Sequence, residues 1–155
     1  MFRHHVIRRE QRVLGDPHTV FGFFADAGNL ESITPPWLSF HIVTPRPIEM
    51  RQGALIEYEL KLHGLPISWL TRIDEWVPGE RFVDAQIYGP YALWHHTHEF
   101  EADGDGDGTI VRDTVRYALP FGVFGGLAHL AFVRRDLEKI FDYRTVSLPS
   151  MPSAR

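Results

Sequence analysis

The sequence has 155 residues, with 16 Lys and Arg against 20 Asp and Glu for a formal net charge of −4, a size and balance that fit one compact domain and argue against two. Of these residues 44% are apolar, including 11 Phe, 5 Tyr and 4 Trp, and none is Cys, which excludes a disordered body, a disulfide framework, thiolate metal sites and a cysteine nucleophile. The mildly acidic balance, with no basic stripe, speaks against nucleic acid as a partner.

The N-terminus carries Arg3, Arg8, Arg9 and Glu10 where a signal peptide would need an apolar run. The longest apolar run, Gly122 to Val133, is broken by His129 and reaches about 12 residues where a membrane span needs about 20. The expectation is a soluble, cytoplasmic protein without an integral membrane segment. Residues 1–148 form one domain, and the polar stretch 149–155 is expected to be a disordered tail.

Residues 2–14 alternate loosely and predict a strand. Asp16-Pro17 then supplies an N-cap followed by proline at the first helical position, so a short helix carrying Val20, Phe21, Phe23 and Phe24 follows. A second short helical turn through Leu30 is stopped by Thr34-Pro35-Pro36. From Leu38 the period becomes two, which predicts strands near 38–44, 54–63, 66–77, 81–88, 91–102 and 109–119, separated by proline, glycine and aspartate turns. Short connections make this an antiparallel meander. After the glycines at 122, 125 and 126, Leu127, Leu130, Val133, Leu137, Ile140 and Phe141 recur at steps of three and four, predicting a long amphipathic helix to about Leu148. The glycines would permit a hinge at its start, although an ordinary loop is the plainer explanation. The fold class is α+β: a curved antiparallel seven-stranded sheet wrapped around a long C-terminal helix, with two short helices after the first strand. One helix cannot fill the concave side of long strands, so an internal cavity is expected.

The chemistry concentrates in Tyr91 to Glu101. Period two sets Ala92, Trp94, His96, His98 and Phe100 on one face, and the aromatics mark it as the inner one. In the following strand Val111, Asp113, Val115, Tyr117 and Leu119 form the apolar set. A symmetric loop through the Asp103–Gly108 hexad pairs Phe100 with Val111, His98 with Asp113, His96 with Val115 and Trp94 with Tyr117. A carboxylate beside an imidazole orients it and raises its proton affinity, which suits His98 and Asp113 to acid/base work or to gripping a ligand. A satisfied buried contact is the plain alternative.

His96, His98 and Asp113 also form a two-histidine, one-carboxylate set, but residues two apart on one strand match a metal site loosely, and neither a metal nor another cofactor is expected. On the preceding strand, a three-residue loop at Gly89-Pro90 would turn Asp84 toward His96, and a two-residue loop would turn Val83 there instead; the first is preferred. On the strand at 66–77, Ile67, Trp69, Thr71, Ile73 and Glu75 look like the core side, leaving Arg72 and Asp74 as a solvated pair. The hexad mimics the start of a calcium loop, yet Thr114 stands where the bidentate glutamate belongs and both flanks read as strands. A flexible hairpin loop is the expectation.

The strings Leu30-Glu31-Ser32-Ile33-Thr34-Pro35-Pro36-Trp37-Leu38, Phe82-x-Asp84-x-Gln86-x-x-Gly89-Pro90-Tyr91 and Trp94-x-His96-x-His98-x-Phe100 resemble the ligand-binding branch of the START/polyketide-cyclase superfamily, the helix-grip fold, over about residues 2–148. The resemblance implies a cavity between sheet and C-terminal helix for a lipid, polyketide or other hydrophobic molecule, and puts Asp84, Gln86, Trp94, His96 and His98 at the characteristic positions. Similar domains also occur fused to sugar-nucleotide-epimerase-like proteins. The expected function is binding of a small hydrophobic molecule, with Trp94, His96, His98, Phe100, Asp84, Gln86 and Tyr117 as ligand-binding residues. One alternative is a cyclase or dehydratase in which His98 and Asp113 are catalytic. Another is a regulatory protein-interaction module. A homodimer is admitted as a further partner state.

Overall fold

Alternation of apolar and polar residues, cut by turn residues, yields seven strands in a single antiparallel sheet. The computed structural model describes residues 4–104, 107–120 and 126–148, with side chains from residue 132 onward in the last segment. The centre of the Asp/Gly loop at 105–106, the glycine stretch at 121–125 and the tail at 149–155 lie outside the described residues, and with them the calcium-loop, hinge and tail readings. The strands are β1 (His5–Leu14), β2 (His41–Ile42), β3 (Leu55–Leu62), β4 (Leu65–Val77), β5 (Arg81–Tyr88), β6 (Leu93–Ala102) and β7 (Gly108–Ala118). They follow the order β1-β7-β6-β5-β4-β3-β2. Between β1 and β2 come helices α1 (Pro17–Ala25) and α2 (Asn29–Ser32) and a 3-10 turn at Pro36–Leu38, and the chain closes with helix α3 (Gly126–Ser147).

The start of α1 follows from its cap. The Asp16 carboxylate accepts from the Thr19 backbone N–H at 3.0 Å and from the Thr19 hydroxyl at 2.9 Å, and Pro17 opens the first turn. Its apolar side, with Val20, Phe21 and Phe24 buried, joins Phe82, Phe100 and Val111 of the sheet in one cluster. Under α3, Leu137 and Phe141 bury against Ile7, Val115 and Tyr117. A third cluster of Ala54, Ile56, Tyr58 and Ile73 forms where β3 meets β4. Among the described residues no helix is long and apolar enough to cross a membrane.

Two expectations are corrected. The strand foreseen at 38–44 shrinks to His41–Ile42, because the 3-10 turn occupies Pro36–Leu38, Ser39 takes a left-handed φ of 46°, and prolines follow at 45 and 47. On β4, Ile73 pairs with Asp84 and Glu75 with Val83, so a bulge at Asp74 shifts the parity. Glu75 thereby leaves the core side to meet Arg81 at 2.6 Å, and Trp76 packs inward against Phe21 and Phe82. Arg72 and Asp74 do form a partly exposed pair at 2.5 Å.

Candidate functional site

The inner face of β6 presents Trp94, His96, His98 and Phe100. Its ladder with β7 has the foreseen register, with Trp94 opposite Tyr117, His96 opposite Val115, His98 opposite Asp113 and Phe100 opposite Val111. On the other side Asp84 of β5 lies opposite His96, the pairing that a three-residue connection gives. Four polar side chains therefore meet where β5, β6 and β7 run side by side. His96 is 5% exposed, His98 2% and Asp113 6%.

Their bonding is crosswise. His96 Nε2 donates to Asp113 Oδ1 at 2.8 Å, and His98 Nε2 donates to Asp84 Oδ2 at 2.6 Å, so each imidazole reaches past the carboxylate directly opposite it to the diagonal one. The direct neighbours are farther apart: His98 Nδ1 stands 3.2 Å from Asp113 Oδ1 without hydrogen-bond alignment, and His96 Nδ1 stands 4.0 Å from Asp84 Oδ2. The two rings stack with centroids 3.7 Å apart and planes 23° apart, and Phe82 stacks on His98 at 4.0 Å. The expected His98–Asp113 pair is thus in place as a contact. Register makes the two residues neighbours, but the aligned bond to Asp113 comes from His96, because strand pairing does not fix how a side chain turns.

Arg144, late in α3, completes the group. Its guanidinium donates to Asp113 Oδ1 at 3.3 Å, lies 5.4 Å from the Phe141 ring centre, and leaves Nε buried without a partner among the described residues. Sequence reading passed it over, although its signal is visible: Leu137, Phe141, Arg144 and Leu148 follow one another at helical steps, so an arginine occupies the apolar stripe.

Burial acts on every member and is outweighed differently at each. It would raise the pKa of Asp113, but the hydrogen bond from His96, contact with His98 and the charge of Arg144 hold it well below the usual carboxylate range. Asp84 is likewise lowered, burial being overcome by the His98 bond and the charges of His96, His98 and Arg144. Burial and the neighbouring His98 lower the pKa of His96, despite both aspartates. For His98 burial also pulls downward, yet the aspartates flanking its ring prevail and raise it. The two rings are thus shifted in opposite directions, His98 upward and His96 downward, an asymmetry between two side chains of the same type.

Asp84, His96 and His98 also bring one donor atom each within 4.8 Å of one another. A shared ion must lie near both ring planes to use their lone pairs, and stacked rings hold those planes nearly parallel. The Asp84 oxygen is moreover occupied by His98. An ion would require the rings to unstack.

These groups form one wall of a cavity of about 160 Å³ whose other walls are Phe24, Leu30, Phe40, Met50, Ile56, Tyr58, Trp69 and Phe82. Of the foreseen ligand-binding residues, Asp84, Trp94, His96 and His98 line it, whereas Phe100, Gln86 and Tyr117 are absent from its wall among the described residues. Phe100 is absorbed into the α1 cluster by edge contacts with Phe21 and Phe24. Gln86 clasps the β5–β6 turn, its amide donating to the Tyr91 carbonyl at 2.8 Å and accepting from the Tyr91 N–H at 3.1 Å. Tyr117 is covered in the cluster beneath α3. Asp113 stands behind the imidazoles.

The fold and the sequence both have known counterparts. Protein CV1439 from Chromobacterium violaceum superposes with a TM-score of 0.71 at 17% identity, covering 97% of this chain and 99% of that one. TTHA0849 from Thermus thermophilus does so with 0.61 at 22%, covering 93% and 91%. The nucleoside-diphosphate sugar epimerase from Corynebacterium glutamicum contains a similar fold, with a TM-score of 0.67 at 21% identity over 92% of this chain but 28% of that one. No curated protein matches this sequence. The family described as polyketide cyclase / dehydrase and lipid transport matches residues 15–142, and the chain belongs to that family.

Proposed function

We propose that the protein binds a small hydrophobic molecule in the cavity, its apolar body against Phe40, Tyr58 and Trp69 and its polar end against Asp84, His96, His98 and Arg144. The observation that carries this reading is the meeting of an apolar cavity with one charged wall, the general pattern of ligand sites in which a few polar groups set orientation. The volume of about 160 Å³ is close to that of engineered cavities of about 150 Å³ that take benzene, so a single ring or a short chain fits it as it stands. A lipid or polyketide requires the surrounding elements to move apart.

Native mass spectrometry of freshly purified protein, followed by solvent extraction, tests the proposal. A stoichiometric apolar compound is the expected result. A bare-chain mass, with no cavity occupancy on exposure to benzene, overturns it.

A second reading, proton transfer to or from a bound carbonyl compound, is favoured by one observation. His96 is oriented by Asp113 at 2.8 Å, lines the cavity, and has its pKa lowered by burial and by His98. The base in that case is His96, with His98, whose pKa is raised, stacked beside it. Deuterium exchange at the α-carbon of a bound ketone, lost in His96→Asn, is the expected signature, and exchange that persists in the variant refutes it.

A further inference from the structure

We propose that the cavity selects apolar carboxylates, a single ring or a short chain bearing one carboxylate, and that Arg144 is the group that reads the carboxylate. This rests on the cavity being the ligand site and specifies what the site prefers. The argument begins with hydrogen-bond supply. A guanidinium carries five N–H donors in a planar fork, and among the described residues Arg144 spends one of them, on Asp113 at 3.3 Å. Its side chain is 14% exposed and its Nε is buried without a partner among the described residues, and a buried donor left unpaired is costly.

The carboxylates of the cluster have other partners. Asp84 is bonded by His98 and Asp113 by His96, both at shorter range than Arg144. Arg144 thus shares Asp113 with His96 through the longer of the two contacts, and Arg144 lines the cavity while Asp113 does not. An arginine fork in that position complements a carboxylate by paired, charge-assisted bonds and gains much less from a neutral amide. The apolar walls contributed by Phe24, Phe40, Tyr58 and Trp69 accept the rest of the molecule, and the small volume excludes long chains.

Calorimetric titration with benzoate, hexanoate, benzamide and benzene separates the possibilities. Benzoate or hexanoate should bind at least about ten-fold more tightly than benzamide, a difference of about 1.4 kcal/mol, and the ratio of the two acids tells ring from chain. Arg144→Met should bring the better acid down to benzamide, and Arg144→Lys, which keeps charge but loses the fork, should retain part of the preference. Thermal melts confirm that each variant folds; if the methionine variant does not, the lysine variant alone must show a reduced preference. Benzamide binding as tightly as the acids, or a preference that survives in both variants, overturns the proposal while leaving the cavity reading intact. Failure of all four probes, benzene included, overturns the cavity reading and this proposal with it.

Discussion

Phe100 and His98 are two residues apart on the same face of β6, both nearly buried, both aromatic, and both in contact with Phe82 and Phe24. Yet they belong to different regions. Phe100 lies in a filled cluster where each ring contributes apolar area and contact independently. His98 lies in a charged group whose members are tolerated inside the protein only because the others are present. Burial and aromatic shape are shared across the boundary; what changes is whether the stabilising terms can be removed one at a time.

The largest expected effect lies on the apolar side. Phe100→Ala should lower stability by about 3–5 kcal/mol in urea unfolding while leaving the imidazole NMR signals of His96 and His98 in place. If those signals move substantially, the two regions are one. On the polar side, Asp113→Asn should cost about 3 kcal/mol, because His96 loses an anionic acceptor and Arg144 its single partner among the described residues. A loss below about 1 kcal/mol would make the group dispensable.

Coupling sharpens the contrast. In double-mutant cycles His96→Asn with Asp113→Asn should interact by about 1–3 kcal/mol, and more strongly than His98→Asn with Asp113→Asn, as the crosswise bonding requires. Equal couplings would return the pairing to the direct neighbours.

The pH dependence of stability has two limbs of opposite sign. The aspartates, whose folded pKa values lie below the ordinary 3.8, stabilise fully above that value and lose the contribution as pH falls through the folded ones. His98, raised above 6.5, stabilises fully below 6.5 and loses the contribution as pH rises through its folded value. Urea midpoints from about pH 3 to about pH 9 should therefore flatten on the acid side in Asp113→Asn and on the alkaline side in His98→Asn. Unchanged limbs in both variants would remove the group from the titration. Smallest of all, Arg72→Ala at the partly exposed Asp74 pair should leave the urea midpoint essentially unchanged.

Much of this was legible before any coordinates. The meander of the later strands and the β6–β7 register follow from alternation and loop length, because a one-residue slip would turn every aromatic of β6 outward, and the approach of Asp84 to His96 was the preferred of two loop lengths. The crosswise bonds were not legible, since register positions Cβ atoms and leaves the rings free to turn toward either carboxylate. The exchange of Glu75 for Trp76 at the core side depends on a bulge, an extra residue that alternation cannot announce. Phe100, Gln86 and Tyr117 were expected at the ligand, but a strand extends farther than a cavity, and each found nearer work in packing or in holding a turn. Arg144 is the opposite case: its place on an apolar helical stripe was readable and marks the residue that the carboxylate hypothesis depends on.

The antiparallel ladder between β1 and β7 joins His5 to Tyr117 and Leu14 to Gly108, whereas β3 to β7 join by successive local hairpins. The hairpins close small loops, and the first strand must wait until nearly the whole sheet has been synthesised. A nascent chain therefore holds β1 unpaired for longer than any other strand. Its run Arg8-Arg9-Glu10-Gln11-Arg12 makes that delay tolerable, because a charged strand is a poor template for pairing with another chain.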